Sequence, residues 1–255
     1  MLEGSLTFVL AMFYLVNHPD PDMKRYSWQT ISSTISIFIA VLIFQGCDGL
    51  IKEFISEPLG LNDIIVNFVH QVLWFWCLQF VLGHCTGWLL EDNEDEVTSV
   101  ISMEEKEEIE LDMTVYGTLV AHINGFAAIN SFSEVQQLDF FSSSPFKSLL
   151  VTPLAFIFVF GMFQALDYYR ETKALEDGFK DEREKLWDSE SEECENDVAG
   201  LWLSFILSQS IRFAVTGNLP DAEGNEEDVK YHTIMEFAVM FCVCFFLAVA
   251  SGGVT

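Results

Sequence analysis

Apolar residues gather in long runs along this chain, and charged residues fill short blocks between them. A helix that crosses a bilayer needs about 20 mainly apolar residues. Five segments meet that length: Ser27–Leu50 with the run IFIAVLIF, Asp63–Leu90 with VLWFWCLQFVL, Ser148–Tyr168 with LAFIFVFGMF, Val198–Gly217, and His232–Val249 with FAVMFCVCFFLAVA. Leu2–Asn17 is apolar but short, and Glu3 is its only early charge, so it lacks the basic start of a secretory signal. It reads as a real or truncated first span. Thr114–Phe132 is only moderately apolar, but its small residues favour a packed position inside a bundle. The expected fold is all-α: one polytopic transmembrane helix bundle of about seven spans.

The breaks agree with this division. Pro19, Pro21, Pro58, Pro145 and Pro220 lie between spans, where a missing N–H costs little. Pro153 falls within one, which transmembrane helices tolerate. Loops after the first, third and fifth spans hold Lys24, Arg25, Lys106, Arg170, Lys173, Lys180, Arg183 and Lys185, whereas the others hold only Lys52, Lys147 and Lys230. The excess of Lys and Arg puts the first set in the cytoplasm.

Two loops are strongly acidic, residues 91–112 and 170–197. The second is helix-prone: Lys173 and Asp177, Glu176 and Lys180, and Asp181 and Lys185 are spaced i, i+4, and Leu175, Phe179 and Leu186 add a thin apolar stripe. The fifth span is expected to continue into it as a helix and to fray near DSESEECEND. The stripe would bind a protein partner or, as the more common use, pack against the bundle or the other acidic loop.

The hexapeptide Phe8–Phe13 (FVLAMF) resembles Phe158–Phe163 (FVFGMF), and two further apolar spans follow each. A duplication would make the fold a parallel three-helix repeat, an arrangement transporters use. With 24 Phe in the chain, short matches of this kind also arise by chance.

Composition narrows the function. The chain is 51% hydrophobic with mean hydropathy +0.30, and its net charge is −27. Such a charge repels nucleic acid and anionic lipid surfaces. Acidic loops either concentrate cations or only keep the loops solvated. Cys47, Cys77, Cys85, Cys194, Cys242 and Cys244 have neither a disulfide framework nor zinc spacing and read as buried free thiols.

Polar residues at membrane depth are the candidates for function. Asp48, Arg212 and Glu236 all fall near one membrane face, as a site, a structural salt bridge or separate snorkelling groups. Asn67, His70 and Gln71 lie within one to two turns of that face, with Trp74 at i+4 from His70. Thr114, Thr118 and His122 make a polar stripe into the fourth span, beside the small-residue stripe Gly117, Ala121 and Gly125, with Asn124 and Asn130 toward the outer half. A lone His in a helix is more often a packing residue than a proton relay.

No phosphate loop, dinucleotide fingerprint, nucleophile elbow or HExxH motif occurs, so neither a catalytic residue nor a cofactor is expected. The leading reading is a multi-pass membrane transporter or channel component for a cation or small solute. Its transport and binding candidates are Asp48, His70, His122, Asn124, Arg212 and Glu236. The alternative is a non-catalytic scaffold or accessory subunit that binds partners through the acidic cytoplasmic loops.

Overall fold

The computed structural model describes residues 2–86, 103–174, 180, 182–221, 224–225 and 233–252. Every regular element among them is a helix: α1 (Leu2–Val16), α2 (Pro21–Ile51), α3 (Asp63–Cys85), α4 (Met103–Asp112), α5 (Thr118–Gln137), α6 (Val151–Ala174), α7 (Glu182–Thr216) and α8 (Ile234–Gly252). Short helical turns lie at Asp139–Ser142 and Pro145–Leu149. A π-helical turn at Lys52–Ser56 extends α2, and another at Met113–Gly117 joins α4 to α5.

Four continuous helices are long and apolar enough to cross a membrane: Pro21–Leu59, Asp63–Cys85, Pro145–Lys173 and Glu182–Thr216. Their outward faces are apolar too. Phe38, Leu42, Trp76, Phe80, Ile157 and Phe160 are exposed, an arrangement that suits lipid and not water. The FVLAMF and FVFGMF hexapeptides fall in α1 and α6.

Local chemistry sets the helix ends. Asp20 caps α2 by accepting from the Asp22 and Met23 N–H groups, with Pro21 in the first turn, where its ring fits. The α2 extension stops at Gly60, whose φ of 59° is the left-handed conformation glycine adopts without strain. Asn62 then caps α3 through the Ile64 and Ile65 N–H groups.

Helix α5 sits at the centre and packs on α2, α3 and α7. Its small residues allow this: Ala121, Gly125, Ala127, Ala128, Ser131 and Ser133 are all buried. Phe68 meets Phe132 edge-on at 5.1 Å, and Leu82 lies beside Gly117, so α3 runs antiparallel to α5. Gly125 faces Leu201 and Ser133 bonds Gln209, so α7 runs parallel to it. Ser36 meets His122 and Asp48 meets Asn130, so α2 is parallel as well. The main core closes around Trp202, fully buried with its ring 4.8 Å from Phe132. α1 packs on α2, and α8 packs on α7.

The acidic segment before the Val198 apolar run departs from expectation. DSESEECEND does not fray: it is part of α7, which runs unbroken from Glu182. The reason is a buried stripe within it, Trp187, Ser191, Cys194, Glu195 and Val198, spaced at helical intervals among the acidic residues. Ile109 of α4 and Met113 join the same core cluster as Trp187 and Cys194, so the two acidic regions pack on each other. Leu175, Phe179, Asp177, Glu176 and Asp181 lie outside the described residues, as do residues 87–102 and His232. The described thiols are free, but only Cys194 is buried; Cys77 and Cys242 are exposed on the apolar surface, so the expectation of uniformly buried thiols fails there. On α3 the buried face carries Asn67, His70 and Gln71, and Cys77 belongs to the apolar outward face with Leu73, Trp76 and Phe80.

Candidate functional site

The α2 face that meets α5 carries Val41, Phe44, Gln45, Asp48 and Lys52, a stripe at helical spacing. The facing stripe of α5 carries Phe126, Ile129, Asn130 and Glu134. The two stripes part near the C-terminal ends of the helices and leave a cavity of ≈ 460 Å³, walled further by Phe205 of α7 and Asp221. That volume lies within the range of small-molecule sites, about 300–1,000 Å³.

Asp48 is the hub of this wall. Lys52 Nζ lies 2.9 Å from its Oδ2, one turn on along the helix. Asn130 Nδ2 donates to Asp48 Oδ1 at 3.4 Å. His70 of α3 brings Nδ1 to 3.8 Å from the same oxygen, while Phe44 stacks on the imidazole at 5.5 Å. Trp74 Nε1–H donates to His70 Nε2 at 2.7 Å. A ring nitrogen that accepts a hydrogen bond carries no proton, so in the neutral ring the proton sits on Nδ1, on the Asp48 side. The chain Trp74–His70–Asp48 thus orients a buried imidazole toward the cavity's carboxylate.

Below the cavity the walls are knit by amides and hydroxyls. Gln136 Nε2 donates to Ser210 Oγ at 3.0 Å and to Ile206 O at 3.2 Å. Ser133 Oγ donates to Gln209 Oε1, and Gln209 Nε2 donates to Asp221 O at 2.7 Å. Gln137 Nε2 donates to Pro220 O at 2.6 Å. These bonds hold the segment around Asp221 against α5 and α7.

A second polar centre lies at the opposite end of the bundle. Arg170, 2% exposed near the end of α6, forks onto both carboxylate oxygens of Glu195 in α7. Its Nε donates to Asp188 at 3.3 Å, and Gln79 Nε2 donates to Glu195 Oε1 at 3.3 Å. Lys180 closes on Asp188 at 3.1 Å. Both carboxylates and the guanidinium are satisfied by one another, the condition under which a buried charge is tolerated.

The residues singled out from the sequence fall in several places. Asp48 and His70 are brought together at the cavity. His122 Nδ1 lies 3.0 Å from Ser36 Oγ, in the α2–α5 seam. Asn124 is 1% exposed, and its amide makes no hydrogen bond among the described residues. Arg212 Nη1 donates to Gly224 O at 2.9 Å. Glu236 caps α8 by accepting the Thr233 N–H at 2.7 Å. Neither Arg212 nor Glu236 lines the cavity. Lys52, Glu134 and Asp221 were not among those residues. The signal for the first two was the pair of i, i+4 couples, Asp48 with Lys52 and Asn130 with Glu134. Among the described residues no group of three His, Cys, Asp or Glu is arranged to hold a metal ion.

Comparison with protein-family models, curated proteins and solved structures finds no match.

Proposed function

We propose that this chain is a multi-pass integral membrane protein that binds and moves a cation or small solute. The observation that carries the reading is the cavity between α2 and α5, where a surplus of carboxylate lies at one end of a bundle with apolar outer faces. A polar cavity within such a bundle has a high cost unless it is used. In this reading α1, α5 and α8 cross the bilayer together with the four long helices, giving seven passages. The Arg170 end faces the cytoplasm, as its basic residues favour, and the Asp48 cavity opens outward. The reading assigns no catalytic step and no cofactor.

The test is uptake by proteoliposomes holding purified protein, across a panel of monovalent cations, divalent cations and protons. Selective uptake that falls at least tenfold in Asp48→Asn is the expected result. Absence of uptake for the whole panel, from protein shown to be folded, would overturn transport.

A second reading, an accessory subunit docking partners on its acidic cytoplasmic face, draws support from one observation. Glu192, Glu193 and Asp197 are exposed on α7 opposite its buried stripe. Charge reversal there would abolish partner capture under that reading and leave uptake intact under the first.

A further inference from the structure

The identity of the cavity's occupant follows from which of its polar groups are already used. Among the described residues three carboxylates line it, Asp48, Glu134 and Asp221, against one ammonium, Lys52. Lys52 is committed to Asp48. Asp221 Oδ1 accepts the Asn225 N–H at 2.7 Å, and Oδ2 accepts Asn225 Nδ2 at 3.4 Å. Glu134 is different: half-buried, it makes no hydrogen bond and no ion pair among the described residues. One turn earlier on the same face, Asn130 is 8% exposed and donates its Nδ2 to Asp48, while its Oδ1 accepts nothing among the described residues. Two acceptors at i, i+4 thus lack a donor, in a wall with a surplus of negative charge.

Val41, Gln45 and Ile129 complete the lining together with three aromatic rings. Phe44, Phe126 and Phe205 come from three different helices and border the same space. Ring faces attract cations, most strongly when the cation is poorly hydrated. A bare divalent ion would need a tight cage of oxygen ligands. An anion would meet the carboxylate surplus. A weakly hydrated cation carrying hydrocarbon satisfies both parts of the wall.

We propose that the cavity binds a small organic ammonium, its N–H groups on Glu134 and the Asn130 carbonyl oxygen and its alkyl part against Phe44, Phe126 and Phe205. This rests on the functional reading above and specifies its substrate class. Lys52, by neutralising Asp48, leaves Glu134 as the ammonium's counter-ion and keeps the site from collecting cations indiscriminately.

The experiment is titration of the purified full chain in detergent micelles with butylammonium chloride, followed by calorimetry and thermal unfolding, with sodium chloride at matched ionic strength as reference. Saturable binding of butylammonium and none of sodium is expected. Glu134→Gln should weaken it at least tenfold, and Phe126→Leu, which leaves every charge in place, about threefold. Lys52→Met frees the Asp48 carboxylate, makes the wall more negative and should tighten binding several-fold, an opposite sign that loss of folding cannot mimic. Equal responses to the two salts, or wild-type affinity in Glu134→Gln, would overturn the proposal. Butylammonium binding without uptake by proteoliposomes upholds the site and removes transport. Uptake of inorganic cations without butylammonium binding does the reverse.

Discussion

Arg170 and Glu195, 25 positions apart in the chain, meet as a two-pronged pair inside the bundle, with Nη2 3.3 Å from Oε2 and Nη1 on Oε1. Removing Arg170 strands Glu195 as an uncompensated buried charge, whereas removing Glu195 leaves Arg170 its Asp188 partner. Arg170→Met should lower unfolding stability by about 3–5 kcal/mol, and Glu195→Met by less. The double variant should recover much of that loss, because no charge is then left buried. Thermal unfolding of the three variants in detergent checks this; a double variant as weak as the sum of the singles would refute it.

Gly125 gives a graded test of the α5–α7 seam. A Cβ there would come within 2.7 Å of Leu201 Cδ2, the far end of a side chain that can turn away. Gly125→Ala should therefore be close to neutral, since alanine gains about 0.5–1 kcal/mol over glycine within a helix. Gly125→Ile adds three more carbons where the Cβ alone already lies 3.4 Å from Leu201 Cγ and 3.5 Å from its Cβ, and should cost about 1–3 kcal/mol through overpacking. Equal stability for the two variants would mean that the seam has room for a side chain beyond Cβ.

Asn124 is buried with both amide atoms unpaired among the described residues, and Asn67 is in the same condition. Each such group costs about 1–3 kcal/mol relative to an apolar residue of similar shape. Asn124→Leu should accordingly raise the unfolding temperature. If uptake falls in this stabilised protein, the amide serves the solute path and not the fold.

Glu236 and Asp48 should behave oppositely. Glu236→Gln keeps an oxygen for the Thr233 N–H and lies away from the cavity lining. Its uptake should match the wild type within about twofold, against the tenfold loss expected of Asp48→Asn, where one hydrogen-bonded pair is worth about 1–2 decades. Parallel uptake curves for the two variants distinguish them.

Because α2, α5 and α7 run in one direction, the exposed residues Leu61 and Ser189 stand at opposite ends of the bundle. A thiol placed by Leu61→Cys should react with a membrane-impermeant maleimide from outside intact cells. One placed by Ser189→Cys should react only after the membrane is opened. Labelling of both from the same side would break the proposed topology.

Much of this architecture was legible in the chain. The apolar runs gave helices where α2, α3, α6, α7 and α8 lie, because a lipid-suited run and a helix have the same signature. The small residues of Thr114–Phe132 foretold the central place of α5. The acidic start of α7 was not legible, because its charged residues flank a buried stripe that only tertiary packing reveals: Trp187 and Cys194 share a core cluster with Ile109, far away in sequence. The Asp48 end of the candidate site was visible, since a carboxylate near the end of an apolar run is conspicuous. Glu134 was not. It lies just past the fourth apolar run, where a charge is ordinary, and only the approach of α2 makes it part of a wall.

Helix α7 ties the two polar centres into one mechanical body. Glu195, clamped by Arg170, and Phe205, a wall of the cavity, stand on the same unbroken rod. Ten residues separate them, about 15 Å of axis, so a tilt of about 5° pivoting at Glu195 carries Phe205 sideways by about 1.3 Å. A methyl group's worth of room is opened or closed by such a swing. The charged clamp therefore anchors one end of a rod whose next turns carry a wall of the cavity.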